Sequence, residues 1–394
     1  LKMSKQWIKT NSPFGSWTSL ATSENGKTVF GTCETGLYKG VLGIDSSYTY
    51  TKIGNSAYIW NYIICNGDCT KLLGATNNGI LLSLDSGVSW TNTNVGIIGR
   101  CLAASEDFLR FAVAIFDGGI YSGIFEDSAP TKIIWSSANN NGTPGKKPWS
   151  FISCDRTGLQ LKACADSNDY PWSSTGITNW KALKDNLQKT PHQCFLSNLD
   201  GNKGILTINK KDDGYKGQIK MGTLQSNNEW SFTDIINNDV GWFAATADRD
   251  FNNIAASQIA ENGTVSVREN GSWTNTLGST GWRPVIANPN FDFCYAGAMS
   301  NGQIWVYTTV SNTVILQDAA VNQNEVPILN LSSENKLSKN KSYGNKLLEE
   351  NENQFIKIQD IKVGDKLWVT EGFYKTVFKV IKKKIKVNSL IGFK

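Results

Sequence analysis

The chain has 394 residues, a formal net charge of +5, 19% charged and 11% aromatic residues, 36 glycines and 14 tryptophans. Residues 319–394 hold 14 lysines and eight acidic side chains, which leaves the remaining residues at −1, so the main body has no electrostatic reason to bind nucleic acid. No run of about 18 apolar residues is present, which excludes a helical membrane span, and few charges among many aromatics and glycines favour an all-β chain with tight turns.

In chain order, the opening LKMSKQW lacks an apolar signal core. Seven units then fall into register: SWTSLATSENG, IWNYIICNGDC, IGRCLAASEDF, PWSFISCDRTG, PHQCFLSNLDG, GWFAATADRD and GWRPVIANPNFD. A polar turn residue stands in each, namely Ser23, Asn66, Ser105, Asp155, Asn198, Asp248 and Asn288, at spacings of 39 to 50 residues. Six positions before each come Trp17, Trp60, Gly99, Trp149, His192, Trp242 and Trp282. A second aromatic column closes the units with Tyr50, Trp90, Trp135, Trp180, Trp230 and Trp273, six residues for seven units.

Repeats of this length with short β-prone runs are propeller blades, which bury their faces only by stacking on one another. Residues 5–312 are therefore expected to form a seven-bladed β-propeller. Trp7 precedes Trp17 by the interval that separates Tyr50 from Trp60, so the N-terminal segment is expected as the outermost strand of the last blade. Residues 313–317 are the rival for that place.

The stretch LLSLDSGVSW (81–90) recurs in degraded form as SVRENGSW, SSTGITNW and SNNEW. Asp and Ser side chains bond nearby backbone N–H groups in such a turn, and Gly supplies positive φ. Ser83, Asp85, Gly87 and Trp90 fit S-x-D-x-G-x-[ST]-W and so resemble the Asp-box (BNR) repeat of sialidases and related propellers. That resemblance implies a structural turn between third and fourth strands, away from the active face.

Catalytic signatures are sparse. The sialidase-like Arg-Ile-Pro is absent, and Trp282-Arg283-Pro284 stands at the wrong end. The single histidine, His192, occupies a tryptophan position and reads as a packed ring. No phosphate loop or four-ligand zinc spacing occurs, so no cofactor or metal is expected. The eight cysteines read as packed, reduced thiols of a cytoplasmic chain, although Cys65-Asn-Gly-Asp-Cys69 has hairpin-bridging spacing.

The residues just after the inner tryptophan column face one mouth of the expected channel. They are Thr18, Asn61, Arg100, Ser150, Gln193, Phe243 and Arg283. Arg100 and Arg283 are candidates to hold an anionic group, with Asn61 and Gln193 beside them.

The aromatic columns stop near residue 319. Residues 319–354 read as a linker. Residues 355–394 alternate apolar and polar, and Ile358-Gln-Asp360-Ile361-Lys-Val363-Gly364-Asp365 followed by Gly372-Phe-Tyr-Lys-Thr-Val377 resembles the first half of a Hint (hedgehog/intein) module. That module's nucleophile and histidine have no counterpart here, so self-processing is not expected. A propeller with such a tail in a Lys-, Asn- and Ile-rich chain looks like proteins of giant DNA viruses.

The function expected from these residues is a non-catalytic recognition or scaffold module, with a protein or glycan on a propeller face, including a virion-associated form. The alternative is an Asp-box-type glycosidase or lectin, for which Trp172 and Trp305 are the sugar-stacking candidates.

Overall fold

The computed structural model describes residues 4–310 apart from 45, 55–56, 95, 127–128, 138–144, 177–178, 185–186, 210–216, 239, 259, 261 and 279–280, and beyond 310 the backbone of seven short strands. Among the described residues there is no helix. Residues Ser4–Thr309 form one compact unit of seven antiparallel sheets, a seven-bladed β-propeller.

Blade 1 runs outward from the channel through Ser19–Thr22, Thr28–Cys33, Gly36–Leu42 and Tyr48–Ile53. The later blades begin with inner strands Trp60–Cys65, Cys101–Ala104, Lys147–Cys154, His192–Ser197, Trp242–Ala247 and Trp282–Ala287. Blade 7 has three strands of its own sequence. Its fourth is Lys5–Lys9, antiparallel to Ile304–Thr309 with Trp7 opposite Tyr307. The ring is thus closed by the N-terminal strand, and the two rings of that pair lie 5.3 Å apart. The rival segment goes elsewhere, since Ile315–Gln317 pairs with Ser389–Phe393.

The core is divided into slices, each shared by neighbouring blades. The slices flanking blade 7 merge into one large cluster containing Trp17, Trp282 and Tyr295. Trp17, Trp60, Trp149, Trp242 and Trp282 are at most 2% exposed. Burial of such a ring is worth roughly 4–6 kcal/mol of transfer free energy. Blade 3 has Gly99 here because no side chain fits: a Cβ would meet Ile80 and Val113 at 2.8 Å. The second aromatic column lies on or beside the outer strands, where Trp90 meets Trp60 edge-on at 4.7 Å.

The turn joining the first two strands is built identically in all seven blades. The polar turn residue accepts, on its side chain, the backbone N–H five residues on, from Thr28, Lys71, Arg110, Gln160, Lys203, Asn253 and Phe293. Its carbonyl takes the N–H three residues on. That third residue is always left-handed: Gly26, Cys69, Phe108, Gly158, Gly201, Phe251 and Phe291, with φ between 57° and 71°. A non-glycine residue there costs about 1–2 kcal/mol. The three phenylalanines offset it by burial, being at most 4% exposed.

One element has no counterpart in the repeat. Phe116–Gly118, between the second and third strands of blade 3, pairs with the start of Lys147–Cys154 and makes blade 4 five-stranded.

The second unit comprises Leu1–Met3 with Val310–Lys394. Its described strands pair as Val380–Lys384 with Ser389–Phe393, Lys366–Val369 with Phe373–Thr376, and Ser342–Tyr343 with Lys346–Leu347. Most of the expected linker at 319–354, and the Gly364-Asp365 turn of the segment 355–394, lie outside the described residues.

Candidate functional site

The inner strands begin at one end of the channel, here the upper mouth, and end at the lower mouth in the seven equivalent turns. At the upper mouth the register of the inner strand slips just after the tryptophan column. The slips fall between Trp60 and Tyr62, Trp149 and Phe151, His192 and Cys194, Trp242 and Ala244, and Trp282 and Val285. A bulge of this kind re-aims the extra residue's side chain. The extra residues include Asn61, Ser150, Gln193, Phe243 and Arg283, the positions read from the sequence as lining this mouth. In blades 1 and 3 the same place is held by Thr18 and Arg100, whose N–H groups bond Thr32 and Ala114 carbonyls at 2.8 Å.

Hydroxyls tie these bulges to the preceding blades. Ser150 Oγ donates to the His192 carbonyl at 2.6 Å, Thr207 Oγ1 to Phe243 at 3.2 Å and Ser257 Oγ to Arg283 at 2.9 Å. Gln193 is buried and its Nε2 donates to Asp166 at 2.6 Å, so its amide is already engaged, while Asn61 is half-buried. Arg100 and Arg283 are exposed. Arg100 lies 5.5 Å from the Phe116 ring centre and Arg283 5.9 Å from that of Phe243. Such stacking holds a guanidinium in place and leaves its N–H fork free. Among the described residues neither arginine forms an ion pair with a carboxylate.

The lower mouth is charged differently. The residues following the polar turn residues are Glu24, Gly67, Glu106, Arg156, Leu199, Arg249 and Pro289. Arg249 Nη2 meets Glu24 at 2.8 Å and Glu106 at 3.7 Å. Arg156 meets Glu106 at 3.9 Å and Asp200 at 3.4 Å. Blades 1, 3, 4, 5 and 6 are joined by this network, which spans the channel. Main-chain bonds between turns run beneath it, from Glu24 to Gly67, Glu106 to Arg156, Arg156 to Leu199 and Arg249 to Pro289. Asn288 Nδ2 donates to the Glu24 carbonyl and joins blade 7 to blade 1.

Exposed apolar side chains do not distinguish the two ends. Phe14, Ile59, Ile98 and Phe116 stand at the upper end and Leu109 and Leu159 at the lower. Charge does distinguish them: Arg100 and Arg283 stand above without an ion pair among the described residues, whereas Arg156 and Arg249 below are paired with acids.

Ser83–Trp90 joins Gly79–Ser83 to Thr91–Asn92 at the lower, outer edge of blade 2. Asp85 accepts from Ser83 Oγ at 2.8 Å, Ser89 N at 2.8 Å and Ser89 Oγ at 2.5 Å, while Ser83 Oγ accepts from Gly87 N at 2.8 Å. Trp90 Nε1 returns to the Gly87 carbonyl at 3.0 Å. The Ser89 hydroxyl and N–H hold the Asp85 carboxyl down at about 2. The Ser83 and Ser89 hydroxyls, the Asp85 carboxylate and Trp90 Nε1 thus all bond within the turn.

A cleft of about 760 Å³ opens at the outer edge between blades 4 and 5, lined by Tyr170, Trp172, Lys181, Lys184, Lys189 and Glu229 among others. Lys189 sits 5.6 Å from the Tyr170 ring centre, and Lys147, paired with Asp169, lies 5.6 Å from that of Trp172. Trp172 lines this cleft half-buried, whereas Trp305 packs edge-on against Trp282 at 6.4 Å.

Two buried basic groups have shifted titrations. His192 is 1% exposed, and burial lowers it to about 4. Lys162, also 1% exposed, lies 5.1 Å from the Trp230 ring centre, and burial pulls it to about 8. Burial pushes the Cys101, Cys154 and Cys194 thiols up to about 12. Among the described residues no three His, Cys, Asp or Glu side chains are grouped to hold a metal ion.

No protein-family model and no curated protein matches the chain. Solved structures do match. The β-propeller domain of Cps50 (Swd1) from Myceliophteria thermophila has a TM-score of 0.59 at 14% identity, covering 77% of this chain and 100% of that one. Hydrazine synthase of Kuenenia stuttgartiensis has a TM-score of 0.56 at 11% identity, covering 77% and 97%. At these identities the likeness is one of fold. The chain has the fold of a seven-bladed β-propeller.

Proposed function

We propose that this chain is a non-catalytic recognition scaffold that seats a protein partner on its upper mouth, where Arg100 and Arg283 receive carboxylates. The observation that carries the reading is the contrast between the mouths. Arg100 and Arg283 are exposed, stacked on Phe116 and Phe243, and free of carboxylate partners among the described residues. Arg156 and Arg249 are consumed in a network of the ring's own acids. A guanidinium held on an aromatic face offers its fork at little entropic cost, which suits bidentate capture of a carboxylate. Arg100 and Arg283 at the upper mouth also fall one short of the three arginines that a sialidase-like site needs. Glu24 and Glu106 share Arg249, so neither stands free as a general acid.

The test compares native purification of the full chain with that of an R100A/R283A variant, followed by quantitative mass spectrometry and titration of the recovered partner. Loss of two charge-assisted contacts should weaken the partner roughly tenfold or more. Equal recovery and affinity in the variant would sink the upper-mouth reading.

A glycan-binding reading is favoured by one feature, the cleft where Tyr170 and Trp172 stand beside Lys184 and Lys189. A glycan array and a glycosidase panel decide it. Binding abolished by W172A but indifferent to R100A/R283A would move the function to that edge.

A further inference from the structure

We infer that Cys65 and Cys69 form an oxidation site, closing to an intramolecular disulfide when they meet a low-molecular-weight disulfide such as oxidised glutathione. The pair belongs to the blade 2 version of the turn that all seven blades share. In that turn the residue before the polar one ends the inner strand, and the residue three after it is left-handed and faces back. Across the blades the two positions read Thr22 and Gly26, Cys65 and Cys69, Ala104 and Phe108, Cys154 and Gly158, Ser197 and Gly201, Ala247 and Phe251, and Ala287 and Phe291. Only blade 2 has cysteine at both.

The two Sγ atoms are 3.2 Å apart, about 1.2 Å beyond a disulfide bond length. The turn fixes this approach independently of the sulfurs. Asn66 accepts from the Lys71 N–H, the Cys69 N–H bonds the Asn66 carbonyl, and Asp68 is engaged with the N–H and hydroxyl of Thr70. Cys69 is 2% exposed and Cys65 half-buried with its Sγ 3.4 Å from the Thr22 carbonyl, so Cys65 is the more accessible residue of the pair and is assigned the first attack. Metal binding is the competing use of two close thiols, and the only carboxylate within the turn, Asp68, points to Thr70.

The step balances as thiol–disulfide exchange. The Cys65 thiolate attacks one sulfur of oxidised glutathione and expels a glutathione thiolate. The Cys69 thiolate then attacks the Cys65 sulfur of the mixed disulfide and expels the second. Two protein thiols are oxidised and one glutathione disulfide is reduced to two thiols, which take up the two protons released. The product pins the turn whose Gly67 carbonyl holds the N–H of Glu24, the residue that pairs with Arg249.

The full chain, purified reduced and then desalted, is equilibrated with graded mixtures of reduced and oxidised glutathione. It is quenched in acid, alkylated with N-ethylmaleimide under denaturing conditions and digested with trypsin. Cleavage after Lys52 and Lys71 places both cysteines, and none of the other six, in one peptide. The expected result is that peptide two hydrogens lighter and without alkyl groups, with the other six thiols alkylated. Because the fold holds the sulfurs together, oxidation in the folded chain should set in under conditions roughly tenfold or more reducing than for the synthetic 53–71 peptide. C65S should leave Cys69 alkylated, and C69S should trap a glutathione adduct on Cys65. A folded chain that oxidises no more readily than the peptide, or that carries its first disulfide at another pair, overturns the assignment.

Discussion

Arg249 of blade 6 and Glu106 of blade 3 meet across the channel at 3.7 Å, and the same guanidinium nitrogen holds Glu24 of blade 1 at 2.8 Å. Blades 3 and 6 are not neighbours, so their pairing couples parts of the ring that share no hydrophobic slice, whereas blades 1 and 6 also meet in the large cluster around blade 7. The side chains are 45–61% exposed, which keeps each contact small and sensitive to salt.

R249A is therefore expected to destabilise the chain by roughly 0.5–1 kcal/mol in urea denaturation at low ionic strength. The loss should shrink as salt approaches about 1 M, where screening acts over about 3 Å. An equal loss at both ionic strengths would mean that the effect is one of packing and not of charge.

The left-handed phenylalanines make a prediction that reverses the usual order of substitutions. Phe108 is 1% exposed with φ of 57°, and its ring meets Phe111 edge-on at 5.1 Å. F108A loses the ring and keeps the strained backbone, at a cost of about 3–5 kcal/mol. F108G loses the same ring and relieves the strain, so it should be the more stable of the two by about 1 kcal/mol. Urea midpoints of the two variants decide it, and an Ala variant at least as stable as the Gly variant would show the turn to be unstrained.

Lys162 predicts a pH dependence. Its folded value is about 8 against an ordinary 10.5, so between these limits the unfolded chain binds more protons and stability rises with pH. At neutral pH the depression opposes folding by about 3 kcal/mol. K162M should then be more stable than the parent near pH 7, and the gap should narrow as pH climbs from about 8 to about 10.5. The difference between the two proteins cancels the thiols and phenols that also titrate there. A gap that stays constant over this range would mean that Lys162 keeps its charge at no cost.

The parts of this fold that were legible in the sequence are those that repeat by residue type. Five tryptophans in one column and an aromatic in the other mark the buried seams, and Trp7 was readable as the missing member of its column. The seven polar turn residues were readable too, because side-chain oxygens at one spacing satisfy the same N–H in every blade. The lower-mouth network was not, because Glu24, Gly67, Glu106, Arg156, Leu199, Arg249 and Pro289 share no chemistry. Their pairing depends on the width of the channel, which no local pattern encodes. The presence of two Glu and two Arg in that column is the one signal that an alignment of the blades contains. The bulges that present Asn61, Gln193 and Arg283 were equally silent, since a slipped register needs no particular side chain. Phe116–Gly118 was missed because a strand added from a neighbouring blade belongs to no repeat.

Closure through Lys5–Lys9 has a consequence for how the molecule is made. Lys5 pairs with Thr309, so the strand leaves the ribosome some 300 residues before its partner. At about 5–20 residues per second that interval is about 15–60 s. Throughout it the Trp7 strand has no sheet to join, and each finished blade offers an open face to whatever is near. Birth of the ring is therefore a race between elongation and mispairing, and the segment that seals it has waited longest.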